Sequence, residues 1–449
     1  MAIPSCRLVE ATKKHQKSQY LNVLNHETEK ERKYVVFASN NIIQDLIMKV
    51  MQINAVYAIG STGYIVSDIH TLSIENGIDS YVAYSMSPLE NNEIINGYRI
   101  GNSIGKKLHA LLGRINGKQA YFSKIATWNL LKYIEKIKPD VVHLHNLHSN
   151  FIYLNMLLEY LAKNKIKTII TLHDCWFYTG GCFHYTSAKC DRWLKECGHC
   201  PKKNKDTPAL LFDTSKKILK DRKKYLGGIS DLTIVGVSEW ISHEAQKSFL
   251  GCKKIITIHN GIDTDYFKPS YSDFRVRNGI SNEKFVILGI ANKWLLPINQ
   301  ALLTAMVDFL DEDMTFVLIG CTEKQREMLP EKIKVFPFIS DRSELRNIYS
   351  SCDVFTNCTW EESLSLVNVE AQACGTPVVT YSNTGVYETV DDMSGFKVRN
   401  GDIKGFLDAI QTVKNKKKQS YSKKCREFVL REFNKGTNYK KYLDLYKNE

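Results

Sequence analysis

The chain has 449 residues, 43% of them apolar, more than one typical core accommodates, and this points to two domains. No apolar run approaches the roughly eighteen residues needed to cross a bilayer, and residues 1–14 lack a hydrophobic signal core, so a cytoplasmic protein is expected. The 61 Lys plus Arg against 48 Asp plus Glu leave a net charge of +13, which favours polyanions or an anionic membrane face, whereas the lack of a basic motif interleaved with stacking aromatics argues against nucleic acid.

In chain order, residues 1–47 are polar and charged and read as a partly disordered N-terminal extension. Residues 49–57 read as a buried first strand, Gly60-Ser61-Thr62-Gly63 as a glycine-bearing loop and residues 64–76 as a helix, the opening of a Rossmann-like unit. Strands at 81–84, 140–145, 168–172 and 232–236 alternate with helices at 121–136 and 152–163, as in a parallel sheet with helices on both faces. After His259-Asn260-Gly261-Ile262-Asp263 the pattern restarts, with strands at 285–289, 315–320, 335–338, 354–356 and 378–381. The expected fold is α/β, two Rossmann-like domains facing a cleft. Its parts are a domain over 48–265 carrying a cysteine-rich loop at 175–201, a second over 266–425, and a C-terminal helix over 426–449 that crosses back. Ligands of open α/β sheets bind at the carboxyl ends of the strands, which here border the cleft.

Glu362 and Glu370 stand eight residues apart around an expected helix start. Ser363 or Ser365 is placed to cap that helix, residues 366–373 form its body, Gly375 suits a left-handed C-cap and Pro377 follows. The unpaired amides at Ser365 and Leu366, with the positive end of the helix dipole, would seat a diphosphate. Glu370 would then lie roughly 7 to 12 Å further along at about 1.5 Å per residue, near the span from sugar to ribose in a nucleotide-sugar. An ionised carboxylate accepts two hydrogen bonds and so clamps a vicinal diol. The alternative, a solvated helix-face glutamate, fits Glu370 poorly, because Val367, Val369, Ala371 and Ala373 surround it and a charge there needs a partner.

From Met48 onward the chain resembles the GT-B glycosyltransferases of family 4, in the branch of bacterial capsule, exopolysaccharide and colanic-acid synthesis. The resemblance is carried by Val50 to Tyr57 with Gly60-Ser61-Thr62-Gly63, by Asp140-Val-Val-His143-Leu-His145-Asn146-Leu-His148, by Leu172-His-Asp-Cys175-Trp, by His259-Asn-Gly-Ile-Asp263 and by the two-glutamate motif. It implies a retaining glycosyltransferase without a catalytic metal, moving a hexose-type sugar from a UDP- or GDP-sugar to a glycan or lipid-linked acceptor. It further implies that Glu362 contacts the donor sugar and Glu370 the ribose, that His145 with Asn146 beside it is the active-site histidine, and that residues 60–63 wrap the donor phosphates or acceptor. Family members carry a diphosphate-binding lysine where Ile298 stands here; Asn292 and Lys293 lie in the same loop, and Lys293 is the nearest cation. That departure keeps two other readings open, a degenerate glycosyltransferase-like partner subunit and a nucleotide-sugar epimerase.

Cys182, Cys190, Cys197 and Cys200 crowd one short segment. In a reducing compartment they fit a structural all-thiolate zinc site with Cys175 and His184 in reserve, or redox-active thiols, or disulfides. Asp263-Thr264-Asp265 matches a metal-binding signature of a different glycosyltransferase fold but lies in a turn, where a structural role is expected. The lysine clusters at 216–224 and 414–424 read singly as solvated helix faces and together as peripheral contacts for acidic lipid.

Overall fold

The computed structural model describes residues 47–205 and 208–447; apart from Ile47, the extension expected over 1–47 lies outside them. The first sheet comprises β1 (Lys49–Val56), β2 (Asp79–Met86), β3 (Gly97–Arg99), β4 (Val141–Leu144), β5 (Lys167–Leu172), β6 (Leu232–Gly236) and β7 (Lys254–Thr257), in the order β3-β2-β1-β4-β5-β6-β7. The second comprises β8 (Phe285–Ile290), β9 (Met314–Ile319), β10 (Ile333–Phe336), β11 (Val354–Asn357), β12 (Val378–Tyr381) and β13 (Gly395–Val398), in the order β10-β9-β8-β11-β12-β13. Every pairing is parallel. The central strands are near-continuous apolar runs because both faces are covered, as the fully buried β9 shows.

Strand order reverses between β1 and β4 in one sheet and between β8 and β11 in the other. At such a switch the connections leave the two strands towards opposite faces, and a crevice opens at their carboxyl ends. Among the described residues the helices of eight or more residues are α1 (Gly60–Glu75), α2 (Ser103–Asn116), α3 (Lys124–Ile137), α4 (Leu154–Lys163), α5 (Ser215–Gly227), α6 (Glu239–Lys247), α7 (Gln300–Phe309), α8 (Arg342–Ser351), α9 (Leu366–Ala373), α10 (Ile403–Lys416), α11 (Gln419–Glu432) and α12 (Lys435–Lys447).

Several elements differ from the sequence expectation: the C-terminal helix expected over 426–449 is two, α11 and α12, and β3, β7 and β13 were not anticipated. Residues 60–63 are the first turn of α1 rather than a loop, and a Cβ on Gly63 would sit 3.2 Å from Val56 Cγ2 and 3.3 Å from the Ala58 amide. Gly63 therefore lets the helix start press onto the end of β1. Helix α2 was not anticipated: its apolar residues recur at helical spacing, but they face outward and only His109 is buried.

Helix α12 returns from the second sheet to the first. Tyr446 Oη meets His143 Nδ1 at 2.7 Å, Thr171 Oγ1 donates to Tyr442 Oη at 3.1 Å, and Tyr439 Oη donates to the Gly261 carbonyl at 3.0 Å. On another side of the junction Glu388 accepts the first amides of α6, from Glu239 at 2.8 Å and Trp240 at 2.7 Å, and pairs with His259 at 3.1 Å. A carboxylate at a helix N-terminus is favoured by the unpaired amides and the dipole. Tyr446→Phe leaves a buried His143 nitrogen unpaired and is expected to lower the urea-unfolding free energy by about 1 to 3 kcal/mol, whereas Tyr271→Phe, at a residue 92% exposed, leaves it unchanged.

Candidate active site

The switch point of the second sheet brings two loops together. One leaves β8 through the helical turn Ala291–Trp294, and the other leaves β11 towards α9. Buried Asn299 ties them: its Nδ2 donates to the carbonyls of Lys293 at 2.8 Å and Cys358 at 2.9 Å, and its Oδ1 accepts from Trp360 Nε1 at 2.7 Å. Lys293 Nζ consequently stands 3.7 Å from Glu362 Oε2. That oxygen is buried and has no hydrogen-bond partner. Asn292 is exposed beside Lys293, and Ile298 sits 52% exposed in the turn Pro297–Asn299.

Helix α9 spans residues Leu366–Ala373 as expected, and Gly375 takes the left-handed conformation at φ +76°. Ser365 is its N-cap residue, but its hydroxyl accepts from Asn357 Nδ2 at 2.9 Å instead of capping, and the buried Ser363 hydroxyl has no partner. The helix start is left without a side-chain cap, so Leu366 and the residue after it offer their amides to a ligand. Glu370, further along, accepts from Tyr349 Oη at 3.4 Å. Burial pushes its carboxyl up to about 7, against the opposing pull of the Arg342 guanidinium and the Tyr349 hydroxyl. Arg342 lies over Tyr64 of α1 at 5.4 Å and over Phe267 at 5.1 Å, so this cation spans both walls of the cleft.

On the opposite wall the histidines divide by burial. His145 ends β4 as expected but is fully buried, its ring nitrogens 3.1 Å from His173 Nε2 and 3.1 Å from Gln52 Oε1. Both nitrogens are thus engaged within the protein, and the partly exposed His173 stands between His145 and the crevice. His148 opens outward and pairs with Asp174 at 3.0 Å, while Asn146 is partly exposed next to it. Burial lowers the pKa of His184, with Asp174, Glu361 and Glu362 pulling the other way and Lys202 adding to the lowering; these groups share one crevice.

Cys182, Cys190, Cys197 and Cys200 line a single cavity of about 20 Å³. Among the described residues, however, no group of three or more His, Cys, Asp or Glu side chains stands in an arrangement that would hold a metal ion. The four-thiolate zinc centre is therefore not formed by these side chains as they stand. Burial pushes the Cys197 thiol up to about 11, reinforced by Cys190 and Cys200. Asp263 fills the structural role expected of it, accepting from the amides of Asp265 at 3.1 Å and Tyr266 at 2.9 Å.

Some members of the lysine clusters are used within the fold, whereas Lys216, Lys220, Lys224, Lys416, Lys417, Lys423 and Lys424 stay exposed. Arg222 is buried against the Trp176 ring, Lys217 pairs with Asp221 at 2.7 Å, Lys414 with Asp313 at 2.7 Å, and Lys418 donates to the carbonyls of Ser350 at 2.6 Å and Cys352 at 2.8 Å. No described helix is long and apolar enough to cross a membrane.

Residues 104–266 match the family model described as Glycosyltransferase Family 4, and residues 292–415 the model described as Glycosyl transferases group 1. The chain is a GT-B glycosyltransferase of family 4. Over 380 residues it is 20% identical to WcaC of Escherichia coli (strain K12), named as a colanic acid biosynthesis glycosyl transferase, covering 79% of this chain and 88% of that protein. It is 26% identical over 211 residues to an Escherichia coli UDP-Gal:α-D-GlcNAc-diphosphoundecaprenol α-1,3-galactosyltransferase, covering 43% of this chain and only 54% of that one. The crystal structure of Anabaena HepE with UDP-glucose superposes at a TM-score of 0.59 and 15% identity, covering 89% of this chain and 99% of that one.

Several groups in this glycosyltransferase's crevice had no individual signal in the sequence: Arg342, Lys202 and Gln52 reach it only through the packing of remote segments. His148 and Asp174 did lie inside recognisable motifs, and burial separates them from His145. The raised Glu370 pKa has a measurable consequence. Between its ordinary value of 4.5 and about 7 the unfolded chain has lost the proton that the folded chain keeps, so this residue's contribution to stability falls as pH rises through that window. Urea unfolding across that range should show the decline in the wild type and a flatter profile in Glu370→Gln.

Proposed function

We propose that this glycosyltransferase moves a hexose-type sugar from a UDP- or GDP-sugar, with retention of anomeric configuration, to a glycan or lipid-linked glycan in surface polysaccharide synthesis. The observation that carries the donor reading is Glu362 Oε2, buried without a hydrogen-bond partner and 3.7 Å from Lys293. A buried carboxylate oxygen left unpaired is costly unless a ligand hydroxyl completes it. Glu362 would receive a sugar hydroxyl, the α9 amides and Lys293 the diphosphate, and Glu370 the ribose diol. As the glycosidic bond breaks, negative charge grows on the departing diphosphate, and groups already aimed there stabilise it without reorganising. With Ile298 in place of a lysine, Lys293 carries more of that task. The HepE complex with UDP-glucose and the diphosphoundecaprenol in the galactosyltransferase's name support the choice of donor and acceptor classes.

A lipid-linked acceptor is supported by the outward face of α2. Ile104, Leu108, Leu111, Ile125, Leu211 and Phe212 are between 56% and 79% exposed, and Ile104, Leu108 and Ile125 line a cavity of about 720 Å³ between α2 and α3. The 210–212 segment is bound to this helix, the Leu210 amide donating to the Arg114 carbonyl at 2.7 Å and the Leu211 amide to Ile115 at 3.2 Å. An apolar surface of this kind marks an interaction site, and exposed Lys107, Arg114 and Lys124 around it suit anionic headgroups. This apolar face supports a membrane contact here beside the exposed lysines of the basic clusters.

Incubation with a panel of UDP- and GDP-sugars, followed by nucleotide release and anomeric analysis of the product, tests the reading. Glu362→Ala should lower kcat roughly 10²- to 10³-fold, and no turnover or thermal stabilisation with any donor would refute it. Because the diol needs an ionised clamp, UDP or GDP affinity should rise as pH passes about 7, and Glu370→Gln should remove that dependence. Flotation with vesicles containing acidic phospholipid should capture the full chain, and Leu108→Asp with Ile125→Asp should abolish capture.

A further inference from the structure

We propose that Lys202 and Glu361 form a clasp through which the cysteine-bearing loop of the first sheet's domain holds Glu362 in position across the cleft, a proposal that rests on the donor reading above. Glu361 accepts three hydrogen bonds, and all three come from that loop. Lys202 Nζ meets Oε1 at 2.5 Å, while the Ser187 amide at 2.8 Å and Thr186 Oγ1 at 3.1 Å meet Oε2. Lys202 also donates to the His184 carbonyl at 2.8 Å, so the two arms of the loop are tied to each other at the point of grip.

Lys202 is 7% exposed and Glu361 19%, so the pair is largely removed from water. Burial alone would raise the Glu361 carboxyl, but Lys202 and Ser187 outweigh it and hold it at about 2. Separating such a pair leaves charges that were desolvated on folding without their partners, which makes the contact close to all-or-none. The arms rise from a firm base. Arg222 donates to the carbonyls of Trp176 and Thr179 and stacks at 3.9 Å on Trp176, and Tyr185 donates to Glu244. Thr186 and Ser187 lie between Cys182 and Cys190, and Lys202 follows Cys200 by two residues, so both arms are continuous in the chain with the walls of the four-cysteine cavity.

A carboxylate oxygen that is to receive a sugar hydroxyl has to stay free of hydrogen-bond partners, and Glu362 Oε2 does, with Lys293 3.7 Å away. The Glu362 backbone is held from its own domain by Thr384 Oγ1 at 3.1 Å and the Gly385 amide at 3.2 Å, and Glu361 adds the restraint that ties it to the first sheet's domain. A shift of about 1 Å in a positioning contact is enough to cost roughly a hundredfold in rate. Lys202 and Glu361 are thus positioning residues.

The test uses the full chain with Lys202→Met, Glu361→Gln, their combination and Lys202→Arg. Both single variants should lose roughly 10- to 100-fold in kcat while UDP or GDP affinity, set by the Glu370 end, stays within about twofold of wild type. The double variant should be no worse than either single one, and Lys202→Arg should recover part of the rate. Single variants with wild-type kcat, or a nucleotide affinity that falls in step with kcat, would overturn the clasp. Hydrogen exchange provides a readout independent of turnover: the Ser187 amide should be protected in wild type and released in Glu361→Gln, the milder substitution should Lys202→Met not fold. Unchanged Ser187 exchange refutes the clasp, whereas a wild type that binds no nucleotide-sugar but protects Ser187 refutes the donor reading alone.

Discussion

Two sheets that share one strand order over six strands, the first extended by β7, face each other, and a set of polar contacts crosses between them. Glu388 on the first amides of α6, the tyrosines of α12 against His143 and Thr171, and Glu361 in the grip of Lys202 and Ser187 all join residues far apart in the chain. Each crossing contact satisfies a group that would otherwise be buried without a partner, so the facing arrangement is specified by hydrogen bonding as much as by apolar burial. The crevice between the walls inherits its dimensions from these fastenings.

Within that crevice, neighbouring carboxylates have opposite surroundings. Glu361 is fully paired and held ionised; Glu362 keeps an unpaired oxygen; Glu370 is buried enough that its proton is retained to about 7. The three roles proposed for them, restraint, reception of a sugar hydroxyl and a pH-sensitive diol clamp, rest on these environments rather than on residue type. The lysine absent at Ile298 is partly offset, since Asn299 pins the loop that carries Lys293 next to Glu362.

The first sheet's domain is organised by a different balance. His143 and His145 are driven neutral by burial, while His148, paired with the buried Asp174, and His173 keep some exposed surface. Beyond them α2 turns its apolar residues to the surface, an arrangement unfavourable in water and consistent with a lipid-borne acceptor arriving along that face.

Much was legible in the sequence because it depends on local chemistry. The alternation of apolar runs and helices specified two parallel sheets, and the residues from Glu362 to Pro377 specified the bounds of α9 and its glycine terminus, since caps, periodicity and turn residues act over a few positions. The family resemblance was legible in the same motifs. The tertiary structure decided the rest, because burial and pairing are properties of segments brought together from far apart. It alone separated His145 from His148, left the four cysteines around a shared cavity without a metal-holding geometry, drew Arg222 and Lys418 out of the basic clusters into internal contacts, turned α2 outward, and set Lys202 on a glutamate 159 residues away. No pattern in the chain encodes which charge meets which at that distance; only the packed fold does.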